Sequence, residues 1–349
     1  MFFRFTVLTV TLYLLLSLIA FGQETDSLRM PLEKHFKNVR QLTFGRQNAE
    51  AYFSNDEFKL IFQSERDTFQ CDQIFSMSTT GEQTTLMSTG TGKTTCSYYL
   101  PGDTSFIFAS THLGDPACPP RPDYSKGYVW AIAKTFDIFK SKVGSNKFER
   151  MTSTDGYDAE ATVSPKGDKI VFTSVRDGDL DIYTMDLDGK NVKRLTSEIG
   201  YDGGPFFSWD GTKIVYRANH PKDTAAVAEY QSLLSEGLVH PSKMEIYVMN
   251  ADGSNQQKIT ALNGASFAPF FYPGDKKIIF ASNFNDPKGR NFDLYMINTD
   301  GSGIEQITYY ESFDGFPMFT HDGKKIVFAS NRHGAVPGET NIFIADWIP

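Results

Sequence analysis

The amino-acid sequence predicts an all-β protein, a six-bladed β-propeller whose last blade is closed by the N-terminal strand. Three observations lead to this prediction: a phrase that recurs six times, short strands separated by glycine-containing turns, and incomplete units at the two ends of the folded chain. The composition agrees, because 14% of the residues are aromatic and the chain has 28 glycines and 16 prolines. Aromatic and β-branched residues favour strands, whereas glycine and proline favour the turns between them.

The recurring phrase is an apolar run that follows a polar turn. Its copies are KLIFQSER (59–66), SFIFASTH (105–112), KIVFTSVR (169–176), KIVYRANH (213–220), KIIFASNF (277–284) and KIVFASNR (325–332). A second short strand follows each copy, at 73–77, 137–141, 181–185, 245–249, 293–297 and 341–345. A further strand then ends in a pair such as Leu195-Thr196 or Ile307-Thr308. Together with the strand that precedes the phrase, each unit has four strands, here called a, b, c and d, which is the pattern of one propeller blade.

The two ends of the folded chain complete each other. The last unit stops after strand c, at Asp346-Trp347, and the folded part begins with an unpartnered strand d at residues 39–43. A propeller needs such a clasp, because the edges of its terminal sheet would otherwise stay exposed. We therefore predict that residues 39–349 form the propeller and that 23–38 form a leader segment.

The first 22 residues are predicted to be a secretory signal peptide. One early charge, Arg4, precedes an unbroken apolar run that closes on small residues before Gln23. An uncleaved membrane anchor is the alternative interpretation, since the run is near the lower length limit for a span. Export predicts a periplasmic or extracellular location. The net charge of −8 disfavours a nucleic-acid partner, because phosphate binding requires a positive surface.

Two stretches resemble a known repeat. SPKGDKIVFTSVRDGDLDIYTMDLDG (164–189) and FTHDGKKIVFASNR (319–332) are similar to the WD40-like PD40 repeat of TolB-type propellers. The resemblance covers nearly all of the chain after the signal peptide, and it implies an envelope protein with a peptidoglycan-associated lipoprotein as a partner of the propeller. TolB proteins also carry an N-terminal α/β domain, for which residues 23–39 are too short. Propellers also accompany peptidases and polysaccharide-cleaving enzymes, so the fold alone does not decide the function.

The loops between strands b and c are predicted to form the working face. They carry most of the length variation, at 113–135, 221–244, 285–292 and 333–340, and loops on one side of a rigid scaffold usually carry function. Residues 224–236 favour a short helix with one apolar stripe. This helix has two interpretations, packing on the propeller rim or docking a partner.

Charged and polar residues recur at fixed positions on this face. Strand a begins on a polar or acidic residue and strand b ends on Arg or His in most units, so the two sets should form neighbouring rings. One interpretation is internal pairing between strands. The other leaves carboxylates free at the channel mouth, where they bind a divalent cation through oxygen ligands or a basic peptide segment. The candidate binding residues are Asn48, Glu50, Arg66, His112, Asp158, Glu160, Arg176, Asp202, His220, Asp314 and Arg332.

The three cysteines, Cys71, Cys96 and Cys118, are predicted to lie on the same face of adjacent blades, beside His112. In an exported protein one disulfide that fastens the 111–130 loop is expected, and the sequence does not choose among the three pairings. Three buried thiols and a zinc site are the alternatives.

Sequence motifs for catalysis are weak. GTGKTT (90–95) lacks the first glycine of a P-loop, because Met87 stands in its place. The motifs G-x-S-x-G, H-E-x-x-H and C-x-x-C do not occur. The sequence therefore predicts a monomeric, exported scaffold that binds an envelope protein or peptide without a cofactor. The alternative is a hydrolase or lyase that acts on a peptide or polysaccharide at the channel mouth.

Overall fold

The six recurring phrases form the second strands of six four-stranded antiparallel sheets in a computed structural model, which describes residues 26–66, 68–286 and 288–349. The prediction of a six-bladed propeller is confirmed. The strands in chain order are β1 (Phe36–Gln41), β2 (Asn48–Phe53), β3 (Lys59–Ser64), β4 (Gln73–Ser78), β5 (Thr85–Leu86), β6 (Thr94–Tyr99), β7 (Ser105–Ser110), β8 (Trp130–Ala131), β9 (Asp137–Lys142), β10 (Phe148–Arg150), β11 (Asp158–Val163), β12 (Lys169–Ser174) and β13 (Asp181–Asp186). They continue with β14 (Lys193–Arg194), β15 (Tyr201–Phe207), β16 (Lys213–Asn219), β17 (Leu238–Val239), β18 (Glu245–Asn250), β19 (Gln257–Lys258), β20 (Ser266–Phe271), β21 (Lys277–Ser282), β22 (Asp293–Asn298), β23 (Glu305–Gln306), β24 (Asp314–Phe319), β25 (Lys325–Ser330) and β26 (Asn341–Trp347).

The N-terminal strand closes the ring. β1 pairs antiparallel with β26, so that Phe36 lies opposite Trp347 and Gln41 lies opposite Phe343. The sixth blade is thus built from β24, β25, β26 and β1, while the other five blades are each continuous in sequence. Closure covers both edges that an open ring would expose.

Strands b and c are apolar almost throughout because each blade packs face to face against its neighbours. In blade 3, for example, Ile170, Val171, Phe172 and Ile182 are completely buried. A strand that is buried on both faces reads as a continuous apolar run rather than an alternating one. This is the physical reason for the apolar body of the recurring phrase.

The recurring threonine after strand d has a structural role. In blade 3, Thr196 Oγ1 accepts a hydrogen bond from the Ile182 N–H at 2.9 Å and donates to Asp181 Oδ1 at 3.2 Å. The hydroxyl therefore fastens the end of strand d to the start of strand c. The same arrangement joins Ser88 to Gln73, Thr152 to Asp137, Thr260 to Glu245, Thr308 to Asp293 and Thr43 to Asn341.

Two long b–c loops join each other over the b–c face. β8, from the loop of blade 2, pairs with β17, from the loop of blade 4. A helix, α1 (Thr224–Ser235), precedes β17 and is capped by Asp223, whose side chain accepts from the Ala226 N–H at 2.9 Å. Leu233 of this helix is buried, so the helix packs on the propeller rim.

No helix in the described ranges is long and apolar enough to cross a membrane. The predicted signal peptide, residues 1–22, lies outside the described residues.

Candidate functional site

The start of strand a is buried in every blade and pairs with the end of strand b. Asp158 accepts a hydrogen bond from Arg176 Nη2 at 2.9 Å, and their side chains are 1% and 13% exposed. His220 Nε2 lies 2.9 Å from Asp202 Oδ1. These contacts are the internal pairs that one interpretation of the sequence predicts. We call this set of buried positions the strand-start ring: Asn48, Thr94, Asp158, Asp202, Ser266 and Asp314.

Blade 6 has the most enclosed pair of this ring. The Arg332 guanidinium, which is 1% exposed, donates to both carboxylate oxygens of Asp314 at 3.0 and 3.2 Å. It also donates to both oxygens of Glu33 at 2.7 and 3.0 Å and lies 5.1 Å above the Phe328 ring. Glu33 belongs to the leader segment, and sequence reasoning did not identify it as a partner.

Blades 1 and 2 have neutral residues, Asn48 and Thr94, at the start of strand a. The Asn48 side-chain oxygen accepts from Ser64 Oγ at 2.7 Å and from Arg66 Nη2 at 3.3 Å. His112 Nδ1 lies 2.9 Å from Ser110 Oγ, and its ring stacks on Phe139 with centroids 4.4 Å apart. Burial lowers the pKa of His112. Binding of a partner molecule by residues of the strand-start ring stays a prediction.

A second ring lies two residues further along each strand a. Its six members all have positive φ, between 48° and 59°, at a point where the register between strands a and b shifts by a bulge. Residues other than glycine rarely adopt this backbone conformation, which costs each of them about 1–2 kcal/mol. Together the six line a single cavity of about 30 Å³, here called the channel cavity. This bulge ring consists of Glu50, Cys96, Glu160, Gly204, Ala268 and Phe316.

The Glu160 carboxylate accepts hydrogen bonds from several donors. Arg217, from strand b of blade 4, binds one carboxylate oxygen, while the Gly204 N–H and Thr173 Oγ1 donate to the other at 2.8 and 2.7 Å. Arg217 also donates to the Tyr201 hydroxyl at 2.6 Å. Its side chain is 9% exposed, and its Nε is buried with no partner among the described residues.

Arg217 was not among the sequence candidates, although the recurring phrase contains a signal for it. It occupies the fifth position of KIVYRANH, where the other copies have Gln, Ala or Thr. Because the other five copies have an uncharged residue at this position, Arg217 is a departure from the repeat that the sequence alone reveals.

Glu50 and Cys96 complete the polar side of the channel cavity. Burial raises the pKa of Glu50 to about 7, and the nearby Glu160 adds to the increase. Glu50 Oε2 is buried without a hydrogen-bond partner in the described part of the chain. Burial also raises the pKa of the Cys96 thiol, and the charges of Glu50 and Glu160 act in the same direction. Near neutral pH the Glu50 carboxyl can therefore either accept or donate a hydrogen bond.

A larger cleft of about 580 Å³ opens above the channel cavity on the b–c face, and Glu160 lines both. We call it the mouth cleft. Its polar wall includes Gln63 and Asp72, and burial raises the pKa of Asp72 to about 6. Aromatic side chains also line the cleft, among them Tyr124, Trp130, Tyr157 and Tyr201.

A disulfide fastens the loop that covers the mouth cleft. Cys71, in the b–c loop of blade 1, is bonded to Cys118, in the b–c loop of blade 2, with Cα atoms 5.8 Å apart. Of the three pairings that the sequence left open, the structure therefore has Cys71–Cys118, and Cys96 is free. Within residues 26–66, 68–286 and 288–349, no group of three or more His, Cys, Asp or Glu side chains is arranged to hold a metal ion. The divalent cation at the channel mouth stays a prediction.

Comparison with known families agrees with this architecture. The model of the PD40 family, described as the TolB β-propeller domain, matches residues 122–239 and 238–344, which together exceed half of the chain. The chain belongs to the TolB β-propeller family. No curated protein sequence matches it.

Solved TolB structures share the fold at low sequence identity. TolB from Acinetobacter baumannii is 18% identical, with a TM-score of 0.55 over 76% of this chain and 55% of that one. This chain therefore spans about half of the Acinetobacter protein. A protein described as a candidate TolB from Agrobacterium tumefaciens is 16% identical, with a TM-score of 0.59 over 89% of this chain and 97% of that one.

An enzyme has a similar fold. Oligogalacturonate lyase from Vibrio parahaemolyticus is 14% identical, with a TM-score of 0.52 over 88% of this chain and 93% of that one. At these identities the similarity concerns the fold alone, so it does not distinguish a scaffold from an enzyme.

In this TolB β-propeller the channel has two chemically different sides. Blades 1 to 3 contribute the polar members of the bulge ring, whereas blades 4 to 6 contribute Gly204, Ala268 and Phe316. Phe316 packs edge-on against Phe267, with centroids 5.5 Å apart. The bulge ring is therefore polar in blades 1 to 3 and without hydrogen-bonding side chains in blades 4 to 6, while Arg217 of blade 4 and Tyr52 of blade 1 also line the channel cavity.

Proposed function

We propose that this protein is an exported, TolB-like scaffold of the cell envelope that binds a segment of a protein or peptide on its b–c face. One observation carries the proposal. The mouth cleft, of about 580 Å³, combines polar side chains such as Asp72 and Glu160 with aromatic ones such as Trp130, under a loop that the Cys71–Cys118 disulfide fastens.

A cleft that combines polar and aromatic side chains favours a ligand with both hydrogen-bond donors and acceptors. A peptide segment carries both, because each peptide group has an N–H donor and a C=O acceptor. The aromatic side chains of Tyr124 and Trp130 add apolar contact area.

The cover of the cleft is preorganised for binding. The Cys71–Cys118 disulfide fixes one end of the blade 2 loop, and the pairing of β8 with β17 fixes the other. A loop that is already ordered loses little conformational entropy when a ligand binds. The predicted signal peptide and the family membership support a location in the envelope.

The alternative function is a hydrolase or lyase at the channel mouth, where Asp72 and Glu160 supply carboxylates. None of the described residues that line the mouth cleft is a histidine. His112 and His220 instead make hydrogen bonds within the propeller, with Ser110 and Asp202.

Site-specific photo-crosslinking tests the proposal. Tyr124 is 54% exposed in the mouth cleft, and Ile304 is 41% exposed on a c–d turn of the opposite face. We expect a photoreactive residue at position 124 to give a discrete adduct with an envelope extract, and the same residue at position 304 to give none. Mass spectrometry then identifies the partner. Equal labelling at the two positions, or none at 124, contradicts binding on the b–c face.

A further inference from the structure

The c–d turns of four blades dock on the preceding blade through a glycine. Each of these glycines donates its N–H to the last residue of strand c, at 2.9 Å. A Cβ built on the glycine would lie only 2.8–3.1 Å from a backbone carbonyl oxygen of the preceding blade, so glycine permits the close approach. The pairs are Gly81 with Leu42, Gly189 with Met151, Gly253 with Leu195, and Gly301 with Ile259.

Blade 2 departs from this pattern. Ser145 donates its N–H to Lys142 O at 3.0 Å and so occupies the position of the docking glycine. Its Cβ is incompatible with the separation that the four glycines have. The glycine of this turn stands one position earlier, at Gly144, where an added Cβ would meet no atom within 4 Å. The turn of blade 2 therefore stays away from blade 1.

A groove of about 980 Å³ separates blades 1 and 2 at this place. Apolar side chains line it in exposed positions: Phe58 is 72% exposed, Leu86 39% and Val143 38%. We call it the blade 1–2 groove. The groove lies where the c–d turn of blade 2 would contact blade 1 if it docked as the four glycine turns do. It is separate from the mouth cleft on the b–c face.

One side of the groove is a free strand edge. β5 is the outermost strand of blade 1. The Met87 N–H bonds to Ile74 O at 2.8 Å, toward the inside of the sheet. Because backbone groups alternate along a strand, the N–H and C=O of Leu86 point outward, where an extended peptide can pair with them.

The charges of the groove have one sign. Among its described lining residues, Lys59 and Lys142 are the charged ones, and neither makes an ion pair with another described residue. The chain as a whole has a net charge of −8. A cationic groove on an anionic protein selects a ligand with carboxylates.

We propose that the blade 1–2 groove binds an extended acidic peptide segment of a partner protein, which adds a strand to β5. Its alternate side chains are apolar and contact Phe58, Leu86 and Val143, while its carboxylates pair with Lys59 and Lys142. This site is independent of the proposed function on the b–c face.

The test uses a library of random nine-residue peptides displayed on phage and selected on the purified protein. We expect the enriched peptides to alternate aliphatic and acidic residues. Synthetic copies should bind at least tenfold more weakly to the Lys59→Glu/Lys142→Glu double variant. Lys277→Glu is the matched control, because Lys277 begins strand b of blade 5 as Lys59 begins that of blade 1, and it should bind normally.

A second pair of variants tests strand addition. Leu86→Pro removes the outward N–H without removing a bond to β4, whereas Leu86→Ala shortens the side chain and keeps the N–H. We expect Leu86→Pro to bind several-fold more weakly than Leu86→Ala. The proposal is overturned if no peptide is enriched, if binding survives the double lysine variant, or if the protein forms a dimer that this variant dissociates, since the groove would then hold a second copy.

Discussion

The strand-start ring and the bulge ring lie two residues apart on the same six strands, yet their surroundings differ. The strand-start ring is enclosed by internal partners, as Arg176 is bound to Asp158 and Arg332 to Asp314. The bulge ring lines the channel cavity, where Glu50 Oε2 and Arg217 Nε have no partner among the described residues. In the strand-start ring Asp158 Oδ2 and Asp202 Oδ2 also lack one, but Arg176 and His220 bind the other oxygen of each carboxylate. Where the repeat is regular, its polar residues stabilise the blade. In the bulge ring the residue type changes from blade to blade, and Glu50 differs from the well-partnered Glu160 in keeping a carboxylate oxygen without a partner among the described residues.

The largest loss of stability is expected from removing the buried cation of the strand-start ring in blade 6. Arg332→Met leaves the carboxylates of Asp314 and Glu33 buried without their cation. Removing one partner of a buried ion pair costs about 3–5 kcal/mol. Urea unfolding at pH 7 should show this loss of unfolding free energy.

The matched control for this change is Arg66→Met. In blade 1 the corresponding position of strand a is the neutral Asn48, so no carboxylate of the strand-start ring is left uncompensated. We expect a clearly smaller loss. Equal losses in the two variants would mean that the buried carboxylates of blade 6 do not determine the effect.

Removing the disulfide should act on the cover of the mouth cleft and leave the strand-start ring intact. Replacing Cys71 and Cys118 by serine releases a closed loop, and disulfides of this kind contribute about 2–4 kcal/mol. We expect faster limited proteolysis within residues 113–135 and a weaker crosslink from position 124. Cys96→Ser, which keeps the disulfide, is the control, and an unchanged cleavage rate in the double variant would contradict the role of the disulfide.

A pH-dependent effect is expected at Glu50. Its pKa is about 7 in the folded protein and about 4.5 in the unfolded chain, so the unfolded chain ionises first and stability falls as the pH rises through this interval. Glu50→Gln removes the ionisation. The variant should therefore exceed the wild-type protein in unfolding free energy by up to about 3 kcal/mol at pH 8.

The same two proteins at pH 5 provide the control for Glu50, because the carboxyl is then largely protonated in the folded state. The difference should shrink toward zero there. A difference that is independent of pH would assign the effect of Glu50→Gln to packing or hydrogen bonding instead of ionisation.

The sequence predicted the fold because the repeat encodes it six times, and each apolar run, Asp-Gly turn and Leu-Thr pair specifies the same blade. It also placed Glu50 and Glu160 two residues beyond the starts of their strands, and it offered the internal pairs of Asp158 and Asp314 as one interpretation. The role of Glu50 and Glu160 in binding stays a prediction. It did not identify Glu33, because that residue meets Arg332 only after the two chain ends have joined.

The mouth cleft could not be predicted from the sequence, for a related reason. Its cover depends on how two irregular loops, from blades 2 and 4, pair as β8 and β17, and neither loop repeats. The choice of Cys71–Cys118 likewise depends on the path of these loops and not on the spacing of the cysteines.

The smallest expected effect concerns the reactivity of Cys96. Burial and the charges of Glu50 and Glu160 raise the pKa of its thiol, so little of the reactive thiolate is present at pH 8. Glu50→Gln removes one of these charges and should speed alkylation by iodoacetamide roughly threefold to tenfold, measured by mass spectrometry of the Cys96 peptide. Asp158→Asn, the matched change in the strand-start ring, should leave the rate unchanged. If Asp158→Asn speeds alkylation as much as Glu50→Gln does, charges of both rings act on Cys96. The electrostatic distinction between the two rings would then not hold at this position.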